Sequence, residues 1–204
     1  LAFLQALLFR NGPGAEIPIQ GCAFLKTQTD LELPDVQITL VPGLLNRLMA
    51  FRPKHGFLIN VYQLRPRSRG HITLASNNPH DKPKIVPNYL SDPEDLATLL
   101  RGLKLARTIA HQPSFAGYRG EETNPGSTVV EDPAINDWIK ANATTTFHPV
   151  GTCRMGNDSE AVVDSALRVI GIDGLRIVDA SVMPAITSGN TNAPTIMIGE
   201  KASD

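Results

Sequence analysis

Four short runs of β-branched or aromatic residues, followed by one long helical pattern, constrain this fold more than any other feature of the sequence. The runs cover residues 17–25, 36–41, 57–62 and 71–75, and Gly, Pro or Asn bounds them. Strands that follow one another at such short spacing are typical of an antiparallel sheet. We therefore predict a mainly antiparallel sheet in the first part of the chain.

The clearest helical pattern begins after Asp92. Ser91 or Asp92 can cap this helix, and Pro93 suits its first turn. Acidic residues in that turn, Glu94 and Asp95, favour the positive end of the helix dipole. Apolar residues then recur at helical spacing and form one face, which we expect to pack on the sheet: Leu96, Leu99, Leu100, Leu103, Ala106 and Ala110.

Two shorter patterns follow. Residues 133–141 predict a second helix with Trp138 on its buried side. Residues 167–170 and 175–178 predict a tight β pair, because the glycines of the intervening GIDG run permit positive φ in a turn. Towards the end of the chain, Asn192 is predicted to cap a helix that begins near Pro194 and runs to about Ala202.

Composition excludes several classes of protein. Of 204 residues, 42% are hydrophobic and 19% are charged, so the chain can bury a core. A net charge of −1 predicts no nucleic-acid partner, and no apolar run approaches the roughly 20 residues that a membrane span needs. Cys22 and Cys153 are too few for a disulfide framework and predict free thiols in a reducing compartment. We therefore predict a cytoplasmic protein and leave open whether it associates with the periphery of the inner membrane.

His148 is the strongest candidate among the five histidines. The other four are expected to be ordinary surface residues, and none has cysteine or carboxylate neighbours at metal-ligand spacing, so no metal site is predicted. His148 lies in the run FHPVGTCRMG, where Pro149 favours extended backbone and Gly151 permits a sharp turn or close approach to a flat ligand. An imidazole fixed on such a loop can accept a proton near neutral pH.

A second polar loop covers residues 187–195 and runs into the last predicted helix. The N-terminus of a helix offers unpaired N–H groups and a partial positive charge, which can stabilise an anion. Within this loop Asn190 can donate a hydrogen bond to an oxygen while remaining neutral. A plain helix cap is the alternative interpretation of this stretch.

Several linked runs resemble the C-terminal part of the glucose–methanol–choline (GMC) oxidoreductases, which are flavoenzymes that oxidise alcohols. They are HPVGTCRMG (148–156), GLRIVDASVMP (174–184) and SGNTNAPT (188–195), and the runs at 65–74 and 87–96 are similar to the family's substrate domain. The loop around Asn190 is most similar to the choline dehydrogenase and alcohol dehydrogenase branch.

The resemblance implies a role for each of several residues. His148 would take the proton of the substrate hydroxyl, Asn190 would occupy the second active-site position, and Phe147 would form a wall of the substrate pocket. FAD is the implied cofactor, and the residues expected to meet it are Asp179, Ala180, Asn192, Ala193 and Pro194. The implied partners are a small alcohol and an electron acceptor, either oxygen or a quinone-like compound.

The implied fold class is α+β. Residues 1–146 would form an antiparallel-sheet substrate domain with flanking helices, and residues 147–204 would be the returning C-terminal segment of an FAD-binding α/β domain. The family's Gly-x-Gly-x-x-Gly motif for the cofactor is not present, since residues 12–14 (GPG) lack the third glycine and include a proline. The chain begins with Leu1, so we interpret it as the C-terminal portion of a longer enzyme whose N-terminal FAD-binding portion is missing. Alone it should bind flavin weakly or not at all and be inactive.

Other interpretations stay open. A hydroxynitrile-lyase-like member of the same scaffold would cleave cyanohydrins, and a non-catalytic binding module would hold a small ligand without chemistry. A Cys–His nucleophile is not expected, because Cys153 and His148 are five residues apart on an extended loop. The arginines of the run RPRSRG (65–70) are expected to form a solvated turn with one or two ion pairs, anion or partner binding being the alternative.

Overall fold

The computed structural model describes residues 2–10, 19, 21–44 and 55–203, and within them the fold is α+β. In chain order the elements are α1 (Ala2–Phe9), β1 (Gly21–Leu25), β2 (Val36–Val41), β3 (Leu58–Gln63), β4 (His71–Thr73), β5 (Lys84–Val86), α2 (Pro93–Ala110), α3 (Asp132–Asn142) and α4 (Asn192–Ser203). Two short 3₁₀ turns, Pro113–Phe115 and Ala180–Val182, lie between the helices.

The first three strands form an antiparallel sheet in the order β1-β2-β3, as the sequence predicts. Ala23 pairs with Ile38, which pairs with Val61, so these three side chains share one face. That face is apolar and packs on α2, where Val36, Ile38 and Ala106 form a buried cluster. Strands β4 and β5 form a separate antiparallel ribbon.

The start of α2 confirms the predicted cap. The Asp92 carboxylate accepts a hydrogen bond from the Glu94 N–H at 2.9 Å, and Pro93 begins the helix. At the middle of the helix, Gly102 lets α2 approach the sheet closely, because a Cβ at this position would lie only 2.6 Å from the Val61 Cγ1. Helix α2 therefore packs on the sheet as predicted, but through a different face. Its buried residues are Asp95, Thr98, Gly102 and Ala106, and Ala106 is the one residue of the predicted apolar face among them.

Asp95 joins the start of α2 to the turn after β3. Its carboxylate is 1% exposed and accepts hydrogen bonds of 2.8 Å from the Gln63 side chain and from the backbone N–H groups of Arg67 and Ser68. Burial by itself would raise the pKa of Asp95, but the N–H groups of Arg67 and Ser68 and the Ser68 hydroxyl outweigh it and lower the pKa below its ordinary value. The sequence predicted only a dipole role for this residue.

Several predicted boundaries shift. The third strand ends one residue later than predicted, and the fourth ends at Thr73 rather than at residue 75. Strand β5 and helix α1 were not predicted, and the start of the first predicted strand, at residues 17, 18 and 20, lies outside the described residues. In α3 the buried side chains are Ile135 and Ile139. Trp138 is only half-buried, because its Nε1 reaches outward to donate to Asn124 Oδ1 at 3.2 Å.

The predicted β pair near the C-terminus is present as a short turn with two cross-strand hydrogen bonds. The Val169 N–H donates to the Leu175 carbonyl at 2.9 Å, and the Ile177 N–H donates to the Leu167 carbonyl at 3.1 Å. Gly171 and Gly174 in the turn have φ of 84° and 74°. The positive φ values predicted for these glycines are confirmed.

Candidate functional site

A second hydrophobic cluster holds the region that carries the predicted site. Its four buried members come from three different stretches of the chain: Val163, Val182, Met183 and Ile198. Val150 and Ala180 pack against this cluster. Helix α4 therefore packs on the 3₁₀ turn Ala180–Val182, and the segment that follows His148 lies beside the same turn.

The His148 loop is fixed to this cluster by backbone hydrogen bonds. The Cys153 N–H donates to the Ser181 carbonyl at 3.0 Å, and the Met155 N–H donates to the Val182 carbonyl at 2.8 Å. Gly151 has φ of 90°, and a Cβ there would lie 3.3 Å from the Met183 carbonyl oxygen. The sequence predicted that Gly151 could adopt a positive φ. In the structure this φ allows two backbone segments to pack closely.

His148 itself is half-buried, between a strained residue and a proline. Phe147 has φ of 61°, a left-handed conformation that is uncommon for a bulky residue, and its N–H donates to Thr145 Oγ1 at 2.9 Å. The Phe147 ring is 76% exposed. Backbone strain of this kind persists only where the surroundings impose it, and it is concentrated at functional sites.

The Asn190 loop is fixed at both ends. Before Asn190, Ser188 has φ of 61° and its Oγ accepts a hydrogen bond from Arg65 Nη1 at 3.0 Å. After it, the buried Thr191 offers its carbonyl to the Thr195 N–H at 3.1 Å. Asn190 itself is exposed.

Helix α4 begins two residues earlier than predicted. Asn192 is its first helical residue and therefore does not cap it, because the Thr191 carbonyl already accepts the first helical hydrogen bond. Asn192 and Ala193 are exposed and Pro194 is half-buried. The N–H groups of this first turn have no acceptor within the helix.

Asp179 and Ala180 mark the end of the segment 175–178 and the start of the 3₁₀ turn. The Asp179 side chain accepts a hydrogen bond from the Ser181 N–H at 2.8 Å and so caps this turn. Ala180 packs on the cluster around Val182. The structure therefore brings the anchors of the His148 loop, the Asp179–Ala180 segment and α4 onto one cluster.

Among the described residues, the arginine turn makes hydrogen bonds to carbonyl oxygens and none of the expected ion pairs. Arg65 Nη2 donates to the Pro34 carbonyl at 2.8 Å, and Arg69 Nη1 donates to the Pro66 carbonyl at 2.9 Å. Arg65 also binds Ser188, which connects the turn to the Asn190 loop. The turn thus has a structural role that its charge pattern did not predict.

The face of the sheet opposite α2 carries residues that sequence reasoning missed. The side chains on this face come from alternate positions of the three strands: Cys22, Phe24, Gln37, Thr39, Val41, Leu58, Asn60 and Tyr62. Gln37 Nε2 donates to Cys22 Sγ at 3.3 Å, and Thr39 Oγ1 donates to the Tyr62 hydroxyl at 3.2 Å. The alternation of polar with apolar residues in β2 was the available signal.

Neither a metal-binding cluster of side chains nor a membrane-spanning helix is found in the part of the chain that the structure describes. Over residues 2–10, 19, 21–44 and 55–203, no group of three or more His, Cys, Asp or Glu side chains is placed to hold a metal ion. In the same residues, no helix combines the length and apolar character needed to cross a bilayer. Cys22 and Cys153 are both free.

Comparison with known proteins agrees with this arrangement. A model of the GMC oxidoreductase C-terminal domain matches residues 66–199, a range that includes His148, Asn190 and the start of α4. The chain therefore belongs to the GMC oxidoreductase family, and the resemblance seen in its sequence motifs is confirmed.

Two relatives place the chain near the predicted branch. It is 44% identical to an oxygen-dependent choline dehydrogenase of Brucella anthropi over 97% of this chain and 37% of the relative. It is 45% identical to an alcohol dehydrogenase [acceptor] of Pseudomonas putida over 89% of this chain and 33% of the relative. The chain thus spans little more than a third of the curated relatives that it matches.

Solved structures show the same fold. A pyridoxine 4-oxidase from Mesorbium loti superposes with a TM-score of 0.81 at 30% identity, over 89% of this chain and 36% of that one. An FAD-dependent oxidoreductase from Chaetomium thermophilum gives 0.71 at 26% identity, over 84% of this chain and 28% of that one. The α+β class, with antiparallel sheets and helices, is confirmed.

Proposed function

We propose that this chain is the C-terminal, substrate-side portion of an FAD-dependent enzyme that oxidises a primary or secondary alcohol to an aldehyde or ketone. The observation that carries the proposal is that the His148 loop and α4, which follows Asn190, are both anchored to the cluster around Val182. Membership of the GMC oxidoreductases and relatives named as choline and alcohol dehydrogenases support the same chemistry.

His148 would be the base that accepts the hydroxyl proton. Pro149 on one side and the strained Phe147 on the other restrict the backbone that carries the imidazole. A half-buried position keeps the ring near the protein surface, where a bound alcohol can reach it. A positioned base of this kind contributes roughly 10²- to 10⁴-fold to a reaction rate.

Asn190 would hold the substrate oxygen. Its amide donates a hydrogen bond without a charge of its own, so it can bind the oxygen before and after the proton leaves. The Arg65–Ser188 hydrogen bond and the buried Thr191 fix the loop on both sides of Asn190. Such fixation restricts the orientation of the carbinol carbon. Phe147, exposed beside His148, would form a wall of the pocket.

The start of α4 fits the FAD that the family implies. The first-turn N–H groups of Asn192 and Ala193 are free of helical acceptors and carry a partial positive charge, which would favour negative charge on a bound flavin. Pro194 has no N–H to satisfy and would pack against the ring. Because the Asp179 carboxylate is occupied by the Ser181 N–H, the backbone of Asp179 and Ala180 would meet the cofactor. FAD, when bound, supplies the hydride acceptor.

The two-part division at about residue 146 remains a prediction. It is supported by two separate hydrophobic clusters, one in the sheet and α2 and the other within residues 150–198. The second part also exposes apolar side chains that an N-terminal FAD-binding portion would cover: Ile170, Ile172, Ile196 and Met197 are each more than half exposed. The compartment and the electron acceptor, oxygen or a quinone-like compound, likewise remain predictions.

Replacement of His148 tests the proposal. In the full-length enzyme, His148→Ala should retain bound flavin while anaerobic bleaching of the flavin by an alcohol slows by at least about 100-fold. His80→Ala, at an exposed position in the loop between β4 and β5, is the matched control and should leave the rate unchanged.

Other outcomes would favour the rival functions. Cleavage of a cyanohydrin without net reduction of flavin would indicate a hydroxynitrile lyase. A full-length protein whose flavin no alcohol bleaches would indicate a binding module, and equal rates for His148→Ala and the parent would exclude His148 as the base.

A further inference from the structure

The hydroxyl pair of Thr39 and Tyr62 lies on the face of the sheet opposite α2. Thr39 is 2% exposed and donates its proton to the Tyr62 hydroxyl at 3.2 Å. A phenol has one proton of its own to donate, and no described residue accepts it from Tyr62. Within the described part of the chain, the pair therefore presents one hydrogen-bond donor without an acceptor, on a half-buried side chain.

This face borders the loop that carries Asn190. Phe24, Gln37 and Tyr62 form one row across the three strands. At the β1 end of the row, a Cβ at Gly189 would lie 4.0 Å from the Phe24 ring. Strands are about 4.8 Å apart, so the row from Phe24 to Tyr62 spans roughly 10 Å. A ligand held by Asn190 and extending across the sheet would run along this row.

The face is also electrically neutral. Each of its eight side chains, from Cys22 to Tyr62, is an uncharged type. Bringing an ion against a half-buried neutral surface is unfavourable, whereas an uncharged acceptor loses only its hydrogen bond to water and regains one from the phenol. The arrangement therefore favours a neutral acceptor over a charged one.

We propose that Tyr62, oriented by Thr39, donates a hydrogen bond to a second, uncharged acceptor of the substrate, such as an ether, hydroxyl or ring nitrogen several bonds from the reacting carbinol. The proposal rests on the alcohol oxidation proposed above and names the substrate class of that same site: neutral alcohols with a distal hydrogen-bond acceptor. Tyr62 would determine specificity without taking part in the proton or hydride transfer.

A series of alcohols of equal length tests this. 1-Heptanol, 2-butoxyethanol, 3-propoxypropan-1-ol and 4-ethoxybutan-1-ol move one ether oxygen along the same chain. In the full-length enzyme, Tyr62→Phe should lower kcat/KM for the best ether by roughly 3- to 10-fold more than for 1-heptanol, the size expected for one uncharged hydrogen bond. Thr39→Val removes the hydrogen bond that orients the Tyr62 hydroxyl, and it should change the ether-to-heptanol ratio of kcat/KM in the same direction.

Tyr118→Phe is the control, because Tyr118 is 82% exposed and lies far along the chain from the sheet. It should leave the ether-to-heptanol ratio unchanged. If Tyr62→Phe slows all four alcohols equally or none of them, the specificity role is wrong, although the proposed oxidation stands. If the parent enzyme's flavin is bleached by no alcohol, the proposed function itself fails.

Discussion

At the scale of single residues, Asp95 shows how one buried carboxylate can fix two segments. Its hydrogen bonds to Gln63, Arg67 and Ser68 hold the turn after β3 against the start of α2. Because the folded protein lowers the pKa of Asp95, its contribution to stability is present above the unfolded pKa of about 3.9. This contribution is lost as the pH falls through the lower, folded pKa.

We expect Asp95→Ala to lower the free energy of unfolding of the full-length enzyme by about 2–4 kcal/mol at pH 7, since the buried donors lose their acceptor. The parent should also lose stability between pH 5 and pH 3 more steeply than the variant. Urea unfolding at both pH values measures these differences. Asp137→Ala, at an exposed position on α3, should change little; an equally small effect of Asp95→Ala would contradict the anchoring role.

Asp158, unlike the buried Asp95, is an exposed carboxylate whose pKa is also lowered. The hydrogen bond from Arg154 lowers the pKa of Asp158 to about 2, helped by the Glu160 N–H. The two residues close the turn that follows the His148 loop. Since both are at the surface, this pair serves to fix a local turn more than to stabilise the fold.

At the scale of elements, the packing of α2 on the sheet depends on one glycine. A Cβ on Gly102 would lie 2.6 Å from the Val61 Cγ1, well inside van der Waals contact, and valine is stiff at χ1. The helix or the strand would have to move. Overpacking of this kind costs about 1–3 kcal/mol, more than the gain in helix propensity from Gly to Ala.

Gly102→Ala should therefore lower the thermal midpoint of the full-length enzyme by several degrees. Differential scanning calorimetry measures the shift. Gly117→Ala, where no atom lies within 4 Å of the added Cβ, is the matched control and should leave the midpoint nearly unchanged. A stabilised Gly102→Ala variant would show that α2 can move away from the sheet at little cost.

The sequence predicted some elements of the protein more accurately than others. The cap of α2 and the glycines of the GIDG turn act within a few residues, so their patterns predicted the local structure correctly. The position of α4 was shifted by two residues because the Thr191 carbonyl, rather than the Asn192 side chain, begins its hydrogen bonding. Ends of helices depend on such competition between neighbouring groups.

At the scale of the whole molecule, the region after residue 146 exposes several large apolar side chains. Ile172, Ile196 and Met197 are each over half exposed. If an N-terminal portion of the enzyme covers these side chains and supplies most of the contacts to FAD, the 204-residue chain alone lacks those contacts. We expect the isolated chain to bind FAD weakly or not at all and to oxidise no alcohol.

Titration of the isolated chain with FAD, followed by quenching of flavin fluorescence, measures this directly. The full-length enzyme is the control and should co-purify with flavin. Circular dichroism distinguishes a folded chain without affinity from an unfolded one. Tight binding of FAD by the isolated chain would contradict the expectation that the N-terminal portion supplies most of the contacts to FAD.

The sequence by itself determined the local structure and the family. The β-branched runs, the capped α2 and the linked motifs around His148 and Asn190 lie within short stretches, where propensity and spacing suffice. Only the tertiary structure decided which stretches meet. The Arg65–Ser188 hydrogen bond joins residues 123 positions apart, and the row from Phe24 to Tyr62 crosses three strands. Such contacts depend on the path of the whole chain, because local preferences fix the elements but not the partners against which they pack.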